Sequence, residues 1–417
     1  MKQKAILAGV NLGQEDFRSS IKELGNLAGA CGIEAVGEVT QNLQRVNKTY
    51  YIGPGKVSEV AALLDQKDAK VVVFNDELSA TQIRNLEADL KCKVTDRTTL
   101  ILDIFAKRAS TKEAQLQVEI ARLQYMLPRL VGSRESLGRQ GGGSGLKNRG
   151  AGEKKLELDR RKIEEKITVN QKELQALVAH RQTQRKQRKK RAVPVVSLVG
   201  YTNAGKSTIM NAILELFSQT GDKQVFEKNM LFATLETSVR NVKLPDNKSL
   251  ILTDTVGFVR NLPHHLVKAF RSTLEEVTEA DLLIHVVDRS NPEFEQHIEV
   301  TNETLRELGV KDIPVIYAYN KSDLTDNEWP KIENDAVYLS AKSKVGVDQL
   351  LQEIRSHIFQ DYVQCEMLIP YDEGQFVSYF NDNADVIATD YEEKGTKLTM
   401  ECRKIDYEKY QRYVVGM

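Results

Sequence analysis

Short apolar runs alternate with amphipathic stretches over roughly the first hundred residues. Residues 5–10, 35–39 and 71–74 are apolar and strand-like, and residues 21–31 and 82–90 repeat their apolar positions at helical spacing. That alternation predicts a small α/β unit with a mainly parallel sheet over 1–108. Beyond it the period changes. Leu116, Ile120, Leu123, Leu127 and Leu130 fall four and three apart, and Leu156, Ile163, Ile167, Leu174 and Leu177 form a second stripe with Asn170 within it. Neither helix can bury its stripe alone in water, so the two predict an antiparallel helical hairpin over 109–192.

The connection inside this hairpin, 131–153, is rich in glycine and carries Arg134, Arg139, Lys147, Asn148 and Arg149. It predicts an irregular segment. Loops longer than about 12–15 residues are usually functional or disordered, and basic residues interleaved with glycines let backbone approach phosphates closely, so these five residues are expected to contact RNA. Residues 181–191 add seven basic and no acidic side chains, more than a helix C-terminus needs for its dipole.

Within 193–358 apolar strands recur, and each ends in a polar motif. The strand at 193–199 runs into Gly200-Tyr201-Thr202-Asn203-Ala204-Gly205-Lys206-Ser207, followed by Thr208 and a helical stretch to Phe217. This is the phosphate-loop pattern in its strand-to-helix context. Backbone N–H groups curl round the α and β phosphates, Lys206 charges the β and γ phosphates, and the Ser207 hydroxyl is a Mg²⁺ ligand. Asp254-Thr255-Val256-Gly257 follows the apolar run 250–252. Its Asp can hold magnesium through water and its Gly N–H can sense the γ phosphate. Between the two, Phe232-Ala233-Thr234-Leu235-Glu236 supplies a threonine for the magnesium shell, with Thr237 the competing choice. Asn320-Lys321-Ser322-Asp323 ends a strand and offers a carboxylate to the N–H edge of guanine. Ser340-Ala341-Lys342 closes the base pocket. Lys206, Thr234 and Gly257 are the expected catalytic set, with Ser207, Thr234 and Asp254 on the metal. GTP and GDP are the expected nucleotides and Mg²⁺ the cofactor.

Phe258 stands where Ras-like proteins carry the glutamine that orients water. An aromatic ring cannot polarise water, so intrinsic hydrolysis is expected to be slow until a partner supplies the missing group. Arg240 and Arg260 are near this motif, and neither identifies itself as a finger in cis. The segment Tyr51-Ile52-Gly53-Pro54-Gly55-Lys56 lacks full phosphate-loop spacing and reads as a strand-to-helix turn. Residues 359–417 predict a small α/β domain: a strand at 367–369, a helix, and a hairpin over 386–400 turning at Glu393-Lys394-Gly395.

Length and charge change little. A chain of 417 residues exceeds what one core supports. Lys plus Arg equals Asp plus Glu at 59 each, so net charge favours no partner class. Cys31, Cys92, Cys365 and Cys402 show no metal-ligand or disulfide spacing, which fits a reducing cytoplasm. No run reaches the about 18 apolar residues of a membrane span, so no integral membrane contact is expected.

Taken together, YYIGPGK, the stretch from Asp96 to Leu130, the glycine-rich GGG…RGAGEKKLELDRR, GYTNAGKST, LFATLE and DTVGFVRNLP resemble the HflX family of ribosome-associated GTPases over roughly residues 50–325. The resemblance implies a P-loop GTPase domain between the α/β subdomain with its hairpin and the C-terminal α/β domain. It also implies binding to the large ribosomal subunit, meaning 23S rRNA and ribosomal proteins, with the hairpin tip directed at the peptidyl transferase centre. Splitting or rescue of stalled or idle ribosomes, heat-stress and antibiotic responses, and Thr234 as the switch threonine are implied likewise. The chain is expected to act as a monomer. Two departures stand out: the loop is two residues longer than usual with Ala151 in place of proline, and Glu236-Thr237 replaces Asp-Pro. A longer tip suits rescue of drug-blocked ribosomes. Two alternatives stay open, a large-subunit assembly factor and an RNA-remodelling N-terminal half that uses ATP.

Overall fold

The computed structural model describes residues 2–132, 146–190, 193–217, 232, 237–260, 262, 263, 266, 276–326 and 328–416. The chain forms two compact units. One comprises Met1–Arg185, Lys228–Glu236 and Val259–Ser272, the other Lys186–Glu227, Thr237–Phe258 and Thr273–Met417. The expected 193–358 domain is therefore shared between them, and the second unit also contains the C-terminal segment.

In the first unit, β1 (Gln3–Asn11), β2 (Ile33–Asn42), β3 (Val71–Phe74) and β4 (Lys93–Asp96) make a sheet of order β2-β1-β3-β4. Every pairing is parallel. The helices α1 (Phe17–Ala30), α2 (Pro54–Lys67) and α3 (Ala80–Leu90) cross between the strands, and α4 (Arg97–Arg108) follows β4. Local chemistry sets their starts. Ser79 and Gln82 form a reciprocal capping box on α3, and the Asp96 carboxylate accepts the Thr99 N–H at 2.9 Å to cap α4. The Gly53-Pro54 segment is the first turn of α2: Gly53 is its cap, Pro54 occupies its first position, and Gln41 accepts the Gly53 N–H at 2.8 Å.

α5 (Lys112–Gly132) and α6 (Leu146–Lys190) run antiparallel, as ion pairs Lys112–Glu173 and Glu119–Lys166 show. The two stripes are not equal partners. Leu116, Ile120 and Leu123 are buried together with Ala114, Val118, Ala121 and Tyr125, because α5 also packs against α3 and α4. On α6 Ile167 is buried, but Ile163 and Leu174 are half-buried and Leu177 is 36% exposed. The expected irregular segment is also shorter than 131–153. α5 continues to Gly132 and α6 begins at Leu146, which puts the backbone of Lys147, Asn148 and Arg149 in the first turns of a helix. Gly150 and Gly152 each cost about 1 kcal/mol there, and the strong helix formers that follow carry a helix already nucleated through them. Arg134 and Arg139 lie outside the described residues. At 45 residues, α6 is about 68 Å long.

The second unit is built on a seven-stranded sheet of order β10-β11-β9-β8-β5-β7-β6. The strands are β5 (Val195–Val199), β6 (Ser238–Lys243), β7 (Ser249–Asp254), β8 (Leu282–Asp288), β9 (Val315–Asn320), β10 (Lys331–Glu333) and β11 (Ala336–Tyr338). Pairing is parallel except for β6 on β7 and β10 on β11. The helices α7 (Lys206–Phe217), α8 (Phe294–Glu307) and α9 (Val347–Ile358) pack on it. Six of the seven residues of β8 are buried, as a central parallel strand covered on both faces requires. β5 lies between β7 and β8, so the chain leaves β5 to one side and later returns on the other. Ligands of such sheets bind at the carboxyl ends of the strands flanking that reversal.

A second, antiparallel sheet of order β13-β14-β12-β15 follows: β12 (Tyr362–Ile369), β13 (Asp385–Glu392), β14 (Gly395–Arg403) and β15 (Val414–Gly416), with α10 (Gln375–Asn383) and α11 (Lys404–Lys409). β12 is longer than the 367–369 its apolar run suggests, because polar positions alternate along it toward its exposed face. The free thiols of Cys365 and Cys402 meet here at 3.7 Å. Among the described residues, no helix is long and apolar enough to cross a membrane.

Candidate nucleotide site

The loop between β5 and α7 is shaped by backbone conformations that few residues adopt. Asn203 and Gly205 take φ of 63° and 101°, and a Cβ on Gly205 would come within 2.2 Å of Asn320 Nδ2. Successive N–H groups in such a turn form an anion-binding concavity at a helix N-terminus. Lys206 opens α7 and is 6% exposed. Its ammonium donates to the carbonyls of Gly200 at 3.1 Å and Tyr201 at 3.0 Å. Burial pushes it down to about 8, and the Asp254 carboxylate opposes that fall. Ser207 donates its hydroxyl to Asp254 at 2.6 Å, and Asp254 is fully buried at the end of β7. A hydroxyl and a desolvated carboxylate brought together are hard oxygen donors of the kind Mg²⁺ takes, so these two residues fit the ion.

The segment after Asp254 is bound to this loop by its backbone. Thr202 donates its N–H to Phe258 O at 2.7 Å and Phe258 to Gly200 O at 3.2 Å. Gly257 lies so close that a Cβ there would meet Thr202 Cα at 2.6 Å. Phe258 is 2% exposed, so the position that carries a water-orienting glutamine in Ras-like proteins is a core residue here. Thr255 is buried and donates its hydroxyl to Leu198 O at 2.7 Å, and Val256 is buried as well.

Asn320 ties three motifs together. Its Nδ2 donates to Ala204 O at 2.9 Å and its Oδ1 accepts the Ala341 N–H at 2.9 Å. Lys321 donates to Asn203 O at 2.9 Å and pairs with Asp288 at 2.6 Å. Ser322 is buried, its N–H on Leu339 O at 3.2 Å. Asp323 and Lys342 are exposed, and Ser340 and Ala341 are buried. Thr208 sits in the first turn of α7, partly buried. Of the switch segment, Ala233, Thr234, Leu235 and Glu236 lie outside the described residues. Phe232 is buried edge-on to Phe105 of α4 at 4.7 Å, where it serves the core of the first unit. Arg260 pairs with Asp16 at 2.9 Å in the same unit, so its guanidinium is already engaged.

Sequence reasoning missed two contributors. Asp288, at the end of β8, holds Lys321, and an acidic residue closing an apolar strand was the available signal. His297 of α8 stacks flat on Tyr201 with ring centroids 3.7 Å apart, which no local pattern announces.

One buried group near the loop titrates. His285 lies within β8 beside Tyr317, and burial, with the Lys206 charge adding to it, pushes it down to about 3. A histidine kept neutral when folded but near 6.5 when unfolded contributes stability that is present above pH 6.5 and lost as pH falls toward 3. His285→Leu should therefore remove about 2 kcal/mol of the stability loss between pH 7 and pH 5. Denaturant titrations of both chains at the two pH values measure this, and equal losses would show that His285 does not set the slope.

A mainly parallel sheet with a glycine-bent loop on its first strand, a serine joined to a buried aspartate, and an asparagine binding that loop to the Ser340-Ala341-Lys342 motif define a P-loop GTP-binding protein. Comparison with known proteins narrows the class. Residues 18–106 match the family described as GTP-binding GTPase N-terminal, 108–188 the GTP-binding GTPase Middle Region, and 195–321 the 50S ribosome-binding GTPase. The chain is 44% identical over 415 residues to GTPase HflX of Caldanaerobacter subterraneus subsp. tengcongensis, covering 100% of this chain and 94% of that protein. It is 38% identical over 407 residues to GTPase HflX of Escherichia coli, covering 96% and 93%. The chain belongs to the HflX family of GTPases. A crystal structure of a GTP-binding protein from Sulfolobus solfataricus in complex with GDP aligns at 23% identity and a TM-score of 0.45, over 86% of this chain and 99% of that one.

Proposed function

We propose that this GTPase acts on the large ribosomal subunit in the cytoplasm, as a monomer, splitting or rescuing stalled or idle ribosomes. The observation that carries the reading is family membership along the whole chain, hairpin included, joined to a match at 195–321 to the 50S ribosome-binding GTPase family. The reaction is GTP plus water to GDP plus phosphate. Lys206 and the loop N–H groups hold the phosphates, and the Gly257 N–H senses the γ phosphate. Ser207 and Thr234 would hold Mg²⁺ directly and Asp254 would hold it through water, the ion neutralising charge between the β and γ phosphates. Asp323 reads the guanine edge, and Ser340, Ala341 and Lys342 close the base pocket.

With Phe258 in the core, the chain has no side chain at that position to orient water, so turnover is slow until the ribosome supplies or orders the missing group. The hairpin carries its tip, including Arg134, Arg139, Lys147, Asn148 and Arg149, toward the peptidyl transferase centre against 23S rRNA. The two added residues favour rescue of drug-blocked ribosomes under stress. GTP hydrolysis measured with and without purified large subunits tests this. The intact chain should be stimulated on the order of 10³-fold, the scale a partner-supplied group provides. A chain whose residues 134–145 are replaced by a Gly/Ser linker should keep its basal rate and lose most of the stimulation. Equal stimulation of both chains would remove the tip from the mechanism, and none in either would assign the GTPase another partner.

A further inference from the structure

The turn joining β6 to β7 is held by charge. Lys248 is only 6% exposed, and its ammonium lies 2.7 Å from Glu401 of β14 and 3.5 Å from Asp246. It also sits over the rings of Tyr362 and Phe359, 4.6 and 5.4 Å from their centroids. Arg355 of α9 pairs with the same carboxylate oxygen of Asp246. Asn247, at a φ of 57°, donates its amide to the carbonyls of Asn381 at 3.2 Å and Ala384 at 3.1 Å. The carboxylates of Asp246, Asp385 and Glu401 cluster closely enough to suggest a metal, but the Lys248 ammonium and the Arg355 guanidinium already supply the positive charge.

What this turn controls lies at the other end of the same hairpin. Ser238 pairs with Asp254 and Lys243 with Ser249, so β6 and β7 are in full register. Six paired residues make a lever of about 20 Å. Asp254 terminates it against the Ser207 hydroxyl, and β6 begins directly after Thr237. β7 is also held by β5, with Leu198 opposite Asp254, but β6 is the edge strand and pairs with β7 alone, so the turn is the further restraint on the outer strand. Here the turn is fixed by the antiparallel C-terminal sheet, for which the sequence alone suggested no chemistry.

We propose that Lys248 is a positioning residue for the nucleotide site: by fastening the β6–β7 turn to the C-terminal sheet, it holds the edge strand β6 in register on β7, whose end presents Asp254 to Ser207. The inference rests on the GTPase reading above and assigns the C-terminal domain a part in hydrolysis. A buried lysine whose charge is taken up by Glu401 and two aromatic faces cannot be replaced by an apolar chain without leaving Glu401 and Asp246 poorly compensated.

The full-length chain tests this through Lys248→Met, Lys248→Arg and the milder Glu401→Gln. Three quantities are read: hydrogen exchange of residues 238–254, the melting temperature, and kcat and KM for GTP. Lys248→Met should speed exchange in the hairpin and lower kcat about tenfold, because small misplacements remote from the chemistry are costly, while KM changes less than about twofold. Lys248→Arg should restore most of kcat, and Glu401→Gln should show the same pattern more weakly. A loosened hairpin with unchanged kcat would overturn the proposal, as would a joint collapse of kcat, KM and melting temperature in both Lys248→Met and Glu401→Gln. A wild-type chain without GTP hydrolysis would instead remove the GTPase reading and this role with it, a failure told apart because exchange at the hairpin is still read.

Discussion

Lys206→Ala should lower single-turnover GTP hydrolysis by on the order of 10³-fold or more, since phosphoryl transfer is catalysed almost wholly by positioning and charge. The site raises what that charge is worth. The ammonium is 6% exposed and rests on two loop carbonyls, the Gly200 and Tyr201 oxygens, and burial alone pulls its proton affinity well down. A cation so poorly solvated gains more from a phosphate than one in water does. Alanine would leave the two carbonyls facing the phosphates with nothing to offset their negative ends. The same variant decides between one nucleotide site and two. Loss of all GTP and ATP turnover fits a single site, and residual ATP hydrolysis would locate a second one in the first unit. Rapid-quench measurement of γ-phosphate release, with each nucleotide in excess of protein, separates these outcomes.

The candidate nucleotide site was legible because each of its pieces is local. A glycine-bent turn, an aspartate at a strand end and an asparagine after another strand are encoded within a few residues each, and their order identifies the sheet that unites them. The parallel sheet of the first unit was legible in part for a similar reason: β1 and β3 contain unbroken apolar runs, and β3 occupies the predicted residues 71–74, whereas β4 has a single apolar residue, Val94, and gives no such signal. What the sequence hid is set by contacts between distant segments. The stripe on α6 resembles that on α5, yet α5 has α3 and α4 as further neighbours, and no periodicity tells which of two helices a third element will cover. Phe258 could be read as incapable of orienting water, but its burial and the β-bridge-like backbone pairing with Tyr201 belong to the folded loop. Lys248 looks like any lysine in a polar turn. Only the antiparallel sheet brought against that turn shows Glu401 and two aromatic rings waiting for it.

Asp323→Asn should weaken GTP binding by about a thousandfold, the scale of losing one hydrogen bond to a charged acceptor and leaving two donors facing each other, and should transfer preference to xanthosine triphosphate. The argument is one of donor and acceptor pattern. A guanine edge presents N–H donors at N1 and at the 2-amino group, and a carboxylate accepts both. Asparagine keeps one acceptor and turns the other oxygen into a donor, which faces the 2-amino group of guanine wrongly but matches the 2-carbonyl of xanthine. The rest of the pocket should tolerate the change. Asp323 is exposed in a single 3₁₀ turn, and its neighbours are held independently, Lys321 by Asp288 and Ser322 by Tyr319 O. Melting temperature should therefore stay the same while specificity inverts. Competition of GTP and xanthosine triphosphate for a fluorescent GDP analogue measures it, and equal losses for both nucleotides would mean that Asp323 supports the loop and does not read the base.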